Sequence, residues 1–209
     1  MSKEINSYDR RSFLGAATMT IAATGLGLIG GVGGQSGQLY AADATTSKPG
    51  THTSFSALKQ LNAGALNVGY AEDGPADGPP VLLLHGWPDD RTVWRHQIPA
   101  LGAAGYRVIA PDLRGCGESD RPTEVQAYQT PVLLADIIGL LDALEVPRTH
   151  LIGHDWGAGL AWALGALLPG RVDHLACLSV GHPTAFQQVD YDQLAMSWYM
   201  LLFQFEGVA

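Results

Sequence analysis

Short apolar runs that alternate with stretches of helical periodicity constrain the fold of this chain most strongly. The runs at 81–84 and 107–110 have the length of strands, and turn residues follow each of them directly. Residues 131–144 and 158–168 instead carry apolar side chains at helical spacing. Strands that alternate with helices favour a parallel sheet that is covered on both faces. The sequence therefore predicts an α/β fold, with further strands at 66–70, 151–152 and 175–180 and a further helix at 93–104.

Composition places the chain among globular proteins and argues against several classes of partner. Of its 209 residues, 46% are apolar and 15% are charged, so a sizeable core can form and global disorder is excluded. Twelve Lys and Arg against 20 Asp and Glu give a net charge of −8, without any basic stripe. We therefore expect no nucleic-acid partner. Two cysteines cannot form a disulfide scaffold, and no Cys/His cluster has the spacing of metal ligands, so we expect no metal centre.

The first 44 residues have the features of an export signal. Arg10 and Arg11 precede a stretch without any charged residue, 12–42, whose many glycines lower its propensity to form a membrane-spanning helix. Residues 42–44 then offer small side chains at the spacing that a signal peptidase recognises. This resembles a bacterial twin-arginine signal, which implies the twin-arginine export machinery as a partner and a periplasmic or extracellular protein without a stable membrane span in the mature form. A retained N-terminal anchor is the alternative.

The segment 151–159 carries the main candidate for chemistry. Its sequence, LIGHDWGAG, has the pattern of an apolar strand, a tight turn between small residues, and the start of a helix. This is the context of a nucleophile elbow, G-x-S-x-G, except that Asp155 replaces the serine and follows His154. Gly153 and Gly157 would let the strand and the helix approach closely, and the helix N-terminus would keep Asp155 ionised. The alternative is that Asp155 merely caps the helix.

A second turn, His85-Gly86-Trp87-Pro88, follows the apolar run at 81–84 directly. A backbone N–H at this place and the N–H after the nucleophile together form the oxyanion hole of such folds. Trp87 and Trp156 would supply these two donors. We expect His85 to brace the loop rather than to act as a base, and Pro88 to follow a cis peptide bond.

A third turn, PDLRGCGESD at 111–120, follows the next strand, and we expect its charges to serve loop hydrogen bonds. Together the three turns are similar to the epoxide hydrolase branch of the α/β-hydrolase fold, with haloalkane and haloacid dehalogenases as close relatives. The resemblance implies the N-terminal half of a mostly parallel sheet with helices on both faces. It divides the chain into a signal peptide at 1–44, a linker at 45–64, the N-terminal part of the core at 65–183, and the start of a helical lid at 184–209.

Residues 197–207 resemble the beginning of the epoxide hydrolase lid, in which a tyrosine at the place of Tyr199 hydrogen-bonds the epoxide oxygen. The alternative for Tyr199 is an aromatic side chain that packs against the core. In that family a catalytic histidine and a second carboxylate follow the lid, and none of the seven histidines here matches that late position. We therefore expect a truncated product or partial record that is open to alkylation at Asp155 but not competent for turnover.

An aspartate at the elbow predicts a different reaction from that of a serine. A carboxylate with an ordinary pKa of about 3.9 is already charged at neutral pH, and its attack on a saturated carbon leaves an ester that water can cleave. The expected substrate is a small hydrophobic epoxide or organohalide, without any cofactor. Tyr199 favours the epoxide, because a departing alkoxide needs an O–H donor. A dehalogenase, in which the indoles of Trp87 or Trp156 hold the halide, is one alternative, and an inactive truncated product or a binding protein on this scaffold is another.

Overall fold

The structure, a computed structural model, describes residues 57–188, 191–203 and 205. Six strands form one sheet in the order β1-β2-β4-β3-β5-β6. Strands β3 to β6 pair in parallel, whereas β2 pairs antiparallel with both β1 and β4. The predicted mostly parallel sheet is therefore confirmed. The strands are β1 (Lys59–Ala63), β2 (Leu66–Asp73), β3 (Pro80–Leu84), β4 (Arg107–Pro111), β5 (Thr149–His154) and β6 (Val172–Leu178).

Five α-helices lie in the described residues: α1 (Gln97–Ala103), α2 (Thr130–Ala143), α3 (Trp156–Leu167), α4 (Tyr191–Met196) and α5 (Trp198–Leu202). The helix predicted at 93–104 is interrupted. A 3-10 turn forms at Arg91–Trp94, because the carboxylate of Asp90 accepts a hydrogen bond from the N–H of Thr92 at 2.7 Å and fixes an earlier start. Further 3-10 turns lie at Val125–Tyr128, Pro169–Arg171 and Pro183–Gln188.

The side chains of β3 alternate between two apolar cores, one on each face of the sheet. Leu82 and Leu84 belong to the larger core, which includes Leu140 of α2 and Leu164 of α3. Val81 and Leu83 belong to the smaller core on the other face, where Trp94 and Ile98 cover them. A fully buried leucine stabilises the fold by roughly 1.5–3 kcal/mol, so β3 is fixed from both sides. The prediction of helices on both faces is confirmed.

The linker predicted at 45–64 does not extend through its whole length, because residues 59–63 form β1. This strand pairs with β2 in a register that places Ala63 opposite Leu66. Its side chains are mostly exposed, so it lacks the apolar run by which the other strands are recognisable. A hairpin turn at Gly64, which has a φ of 74°, lets the chain reverse there.

The predicted signal peptide, 1–44, lies outside the described residues. Within the described part of the chain, none of the helices combines the length and the apolarity that crossing a bilayer requires. The carboxyl ends of β3 and β5 lie next to each other, since these strands pair in parallel. The turns after these two strands, at His85 and at Asp155, therefore meet at one edge of the sheet.

Candidate active site

Asp155 lies at a sharp turn between β5 and α3. Its backbone torsions are φ 53° and ψ −122°, which L-residues rarely adopt and which cost roughly 1–3 kcal/mol. Three main-chain hydrogen bonds hold the turn: the N–H of Asp155 donates to the carbonyl of Leu178 at 3.2 Å, and its own carbonyl accepts from Ala158 and Gly159 at 2.9 and 3.1 Å. The surrounding structure thus fixes the strained residue in place.

Two glycines let β5, α3 and β3 pack against one another at this turn. A Cβ atom at Gly153 would overlap the carbonyl oxygen of Gly157, and a Cβ atom at Gly157 would overlap that of Leu84. Any side chain at either position would separate α3 from the sheet. The two glycines therefore allow the close packing that determines where Asp155 lies at the edge of the sheet.

The carboxylate of Asp155 points to the neighbouring loop and not to its own helix. Asp155 occupies the N-cap position of α3, but its side chain makes no capping hydrogen bond. Instead Oδ1 accepts the main-chain N–H of Trp87 at 3.1 Å. A Cβ atom at Gly86 would overlap this carboxylate, so the approach depends on that glycine. The interpretation of Asp155 as a simple helix cap is therefore wrong.

Both tryptophans that were predicted to form the oxyanion hole lie beside Asp155. The N–H of Trp87 already points at the carboxylate. Trp156 is the first residue of α3, so its N–H belongs to the first turn, whose donors have no partner within the helix. The residues Trp87 and Trp156 are 51% and 44% exposed, so a ligand can reach both.

His85 is fully buried and holds two loops together. Its Nε2 accepts the N–H of Leu113 at 2.8 Å, so Nδ1 carries the proton and donates to the carbonyl of Gly86 at 2.7 Å. Burial lowers the pKa of His85, which keeps the imidazole neutral. Both ring nitrogens are occupied, and His85 has no free lone pair with which to act as a base.

A buried ion pair between Arg91 and Asp112 holds the far end of the loop that begins at His85. The sequence did not predict this pair. Asp112, which follows β4, is bound by the guanidinium of Arg91 and accepts the N–H groups of Arg91 and Glu118 at 2.9 and 2.8 Å. The peptide bond between Trp87 and Pro88 is cis, as predicted. The sequence signal for Asp112 was its place directly after a buried strand, whereas nothing in the sequence indicated Arg91 as its partner.

Tyr199 on α5 is linked to the site through aromatic contacts. Its ring lies 6.1 Å from that of Phe203, and the Phe203 ring lies 5.0 Å from that of Trp87, edge to face. The start of the predicted lid thus contacts the loop that carries the Trp87 N–H. Among the described residues, the hydroxyl of Tyr199 has no hydrogen bond to Asp155.

His154, the residue before Asp155, has a buried Nδ1 atom without a hydrogen-bond partner among the described residues.

The described residues contain no group of three or more His, Cys, Asp or Glu side chains that could hold a metal ion. The arrangement that they do contain is a carboxylate, an N–H donor on its Oδ1, and two exposed aromatic residues beside it. Chemically, this set can attack an electrophile and bind negative charge on the attacking group.

Comparison with known proteins identifies the family. A family model described as alpha/beta hydrolase fold matches residues 79–203. The chain is 42% identical over 156 residues to epoxide hydrolase A of Mycobacterium tuberculosis, an alignment that covers 71% of this chain and 48% of that protein. It is 40% identical over 154 residues to epoxide hydrolase 2 of Siraitia grosvenorii, again covering 71% of this chain and 48% of the relative. The chain thus spans about half the length of these curated relatives.

Solved structures give the same result. Epoxide hydrolase A from Mycobacterium thermoresistibile superposes with a TM-score of 0.61 at 38% identity, covering 73% of this chain and 50% of that one. An epoxide hydrolase from Vigna radiata superposes with a TM-score of 0.57 at 41% identity, covering 59% and 39%. With the sheet order, the turn at Asp155 and the family match in agreement, the chain belongs to the alpha/beta hydrolase fold family.

Proposed function

We propose that this protein is an epoxide hydrolase in which Asp155 is the nucleophile. The observation that carries the proposal is the position of its carboxylate, which lies on a strained turn, makes no capping bond, and accepts the N–H of Trp87 through Oδ1 at 3.1 Å. Among the described residues Oδ2 accepts no hydrogen bond, so this oxygen is the one available for attack. The relatives named above, which are called epoxide hydrolases, support this choice of substrate class.

In the first step, Oδ2 of Asp155 attacks a ring carbon of the epoxide. The bond from that carbon to the ring oxygen breaks, and its electron pair moves to the oxygen. An alkoxide is a poor leaving group at neutral pH, so a proton must arrive as the bond breaks. We assign this proton to the hydroxyl of Tyr199, because Phe203, the residue after its helix, contacts both Tyr199 and Trp87. The products are a hydroxyalkyl ester of Asp155 and the phenolate of Tyr199, which takes a proton back from solvent.

In the second step, water attacks the carbonyl carbon of that ester, and negative charge collects on Oδ1. The N–H groups of Trp87 and Trp156 would stabilise this charge, at a typical value of roughly 3 kcal/mol for each donor. The water needs a general base. Among the described residues no histidine hydrogen-bonds Asp155, and His85 is fully engaged elsewhere. With the described residues alone, we therefore expect the reaction to stop at the ester.

Dehalogenation is the second candidate, and the two exposed indoles beside Asp155 favour it. An indole N–H is a donor without acidity, which suits a departing halide because a halide needs no proton. The attack by Asp155 would be the same, with a carbon–halogen bond broken in place of a carbon–oxygen bond. The two functions therefore differ in the leaving group and not in the nucleophile.

Mass analysis of the protein after reaction with a small hydrophobic epoxide tests the proposal. Incubation followed by an acid quench should add the mass of one epoxide, and peptide mapping should place it on Asp155. Asp155→Ala should abolish the adduct. Asp77→Ala, which removes an exposed carboxylate in a turn, should retain it.

Three results would contradict the proposal. An adduct that persists in Asp155→Ala would refute the nucleophile. Alkylation by a chloroalkane with chloride release, and none by the epoxide, would move the assignment to the dehalogenase. Sustained diol production by residues 1–209 would refute the expectation that the reaction stops at the ester.

We also propose that the protein is exported by the twin-arginine route. The support is the sequence of residues 1–44, with Arg10 and Arg11 before a long uncharged stretch. Fusion of these residues to a folded reporter should deliver the reporter across the inner membrane, and replacement of both arginines by lysine should retain it in the cytoplasm. Export that is unaffected by the replacement would refute this route.

A further inference from the structure

Two histidines outside the proposed site lie side by side on neighbouring strands. His150 belongs to β5 and His174 to β6, and their Nδ1 atoms are 2.9 Å apart. Their ring centroids are 4.8 Å apart with the planes tilted by 47°. The residues are 24 positions apart and belong to no sequence motif. Only the strand pairing brings them together.

A β-bulge creates this contact. Thr149 pairs with Val172, but Leu151 pairs with Leu175, so Asp173 and His174 together lie opposite His150. A bulge of this kind inserts one extra residue and redirects its side chain. Here it sets the His174 ring against the His150 ring.

The pair is preorganised but accessible. The ring of Tyr106 packs edge to face against His150 at 5.9 Å, which restricts that side chain further. His150 is half-buried and His174 is exposed, so solvent and dissolved ions reach the pair. Preorganised ligands lose less side-chain freedom when they bind an ion.

We propose that His150 and His174 bind a divalent transition-metal ion of the copper(II) or nickel(II) class through their two Nδ1 atoms. Two nitrogen ligands at about 2.0–2.1 Å from a metal are about 2.9 Å apart when they subtend a right angle, and about 3.3 Å apart at the tetrahedral angle. The observed separation is 2.9 Å. This separation places both nitrogens within reach of a single ion.

The ion would replace the hydrogen bond between the two rings. Both imidazoles bind as neutral groups with the proton on Nε2, and water completes the coordination. Copper(II) binds such nitrogen ligands most strongly among the common divalent ions. Asp173 is not a ligand in this proposal, because Arg148 holds its carboxylate at 2.6 Å.

This site is separate from the proposed chemistry. His150 is near the amino end of β5, whereas Asp155 follows its carboxyl end. Five residues of strand correspond to about 16 Å. Substitutions at the histidine pair therefore leave the residues around Asp155 in place, and the proposal stands independently of the proposed function.

Titration of the protein, prepared without an affinity tag, with copper(II) tests the proposal. We expect one ion per chain with an electron paramagnetic resonance spectrum of two bound nitrogens. His150→Gln and His174→Gln should each weaken binding by about tenfold or more, because each removes the second ligand of a chelate. His96→Gln, which changes an exposed histidine elsewhere, should bind as the native protein does.

A second measurement needs no variant. Substoichiometric copper(II) should broaden the imidazole NMR signals of His150 and His174 before those of other histidines. If the signals of His96 or His182 broaden first, or if either pair variant retains native affinity, the ion is adventitious and the proposal fails. Zinc binding stronger than copper binding would overturn the choice of ion.

Discussion

The main-chain N–H of Trp87 donates to Oδ1 of Asp155 at 3.1 Å, across 68 positions of sequence. The two residues follow β3 and β5, which pair in parallel with Leu84 opposite Gly153. One hydrogen bond thus joins the carboxylate to the loop that would stabilise its charge during hydrolysis. The position of the carboxylate therefore also depends on the contacts that hold the loop carrying Trp87.

Gly86→Ala should slow alkylation of Asp155 by about 100-fold, because the new methyl group would overlap the carboxylate and move it by about 1 Å. Gly159→Ala is the matched control, since a Cβ atom there meets nothing within 4 Å and the residue lies within α3. The rate of adduct formation, followed by mass spectrometry, measures both. An unchanged rate in a folded Gly86→Ala variant would show that the close contact does not position the nucleophile.

His85 should make the protein less stable in acid. Burial lowers the pKa of His85, so the unfolded chain takes up a proton at a higher pH than the folded one. Its contribution to stability is therefore complete above about pH 6.5, the ordinary pKa of histidine, and is lost as the pH falls below that value. Urea unfolding at a series of pH values measures this slope.

His85→Asn should flatten the pH dependence below about pH 6.5. At pH 8 it should also lower the free energy of unfolding by about 1–3 kcal/mol, because the N–H of Leu113 loses its acceptor. His96→Gln serves as the control for an exposed histidine and should retain the native slope. If His85→Asn keeps the native slope as well, other groups cause the acid sensitivity.

Asp112→Asn should reduce the free energy of unfolding by about 3 kcal/mol. Its side chain is fully buried against Arg91, and removal of one charge leaves the other buried without its counter-ion. Asp142→Asn breaks the ion pair with Arg171, in which the Asp142 side chain is 62% exposed, and should cost less than about 1 kcal/mol. Chemical denaturation compares the two variants. Equal losses would contradict a special role for the buried pair.

Tyr199→Phe should separate the two candidate reactions. If the Tyr199 hydroxyl protonates the epoxide oxygen, its loss slows alkylation by an epoxide about 100-fold or more. Alkylation by an alkyl halide should proceed as before, because a halide needs no proton. Tyr191→Phe removes the hydroxyl of a residue that is 90% exposed and should affect neither rate. Equal epoxide rates in Tyr199→Phe and the native protein would remove Tyr199 from the mechanism.

Much of the fold could be predicted from local patterns. Strands β3 and β4 are continuous apolar runs, and α2 begins beside Pro131, which suits the first turn of a helix. Strand β1 was missed because its exposed residues carry no apolar run and its stability comes from pairing with β2. Predictions based on periodicity therefore succeeded where a segment is buried and failed where only hydrogen bonds define it.

The site was predictable as a set of turns but not as a set of contacts. The glycines around Asp155 indicated a sharp turn after a strand, which the positive φ confirms. The pairing of Arg91 with Asp112 depends on the contact between the loops that follow β3 and β4. The contact of His150 with His174 depends on a bulge in strand pairing. Neither leaves a local pattern, because both arise from tertiary geometry.

The unfavourable torsions at Asp155 imply that the proposed nucleophile lowers the free energy of unfolding at this position. Asp155→Gly and Asp155→Ala both delete the carboxylate, but only glycine relaxes at a φ of 53°. The free energy of unfolding of Asp155→Gly should therefore exceed that of Asp155→Ala by about 1 kcal/mol, as measured by urea titration. Glycine would remove this strain, so an aspartate at this turn is what the proposed role of its carboxylate predicts.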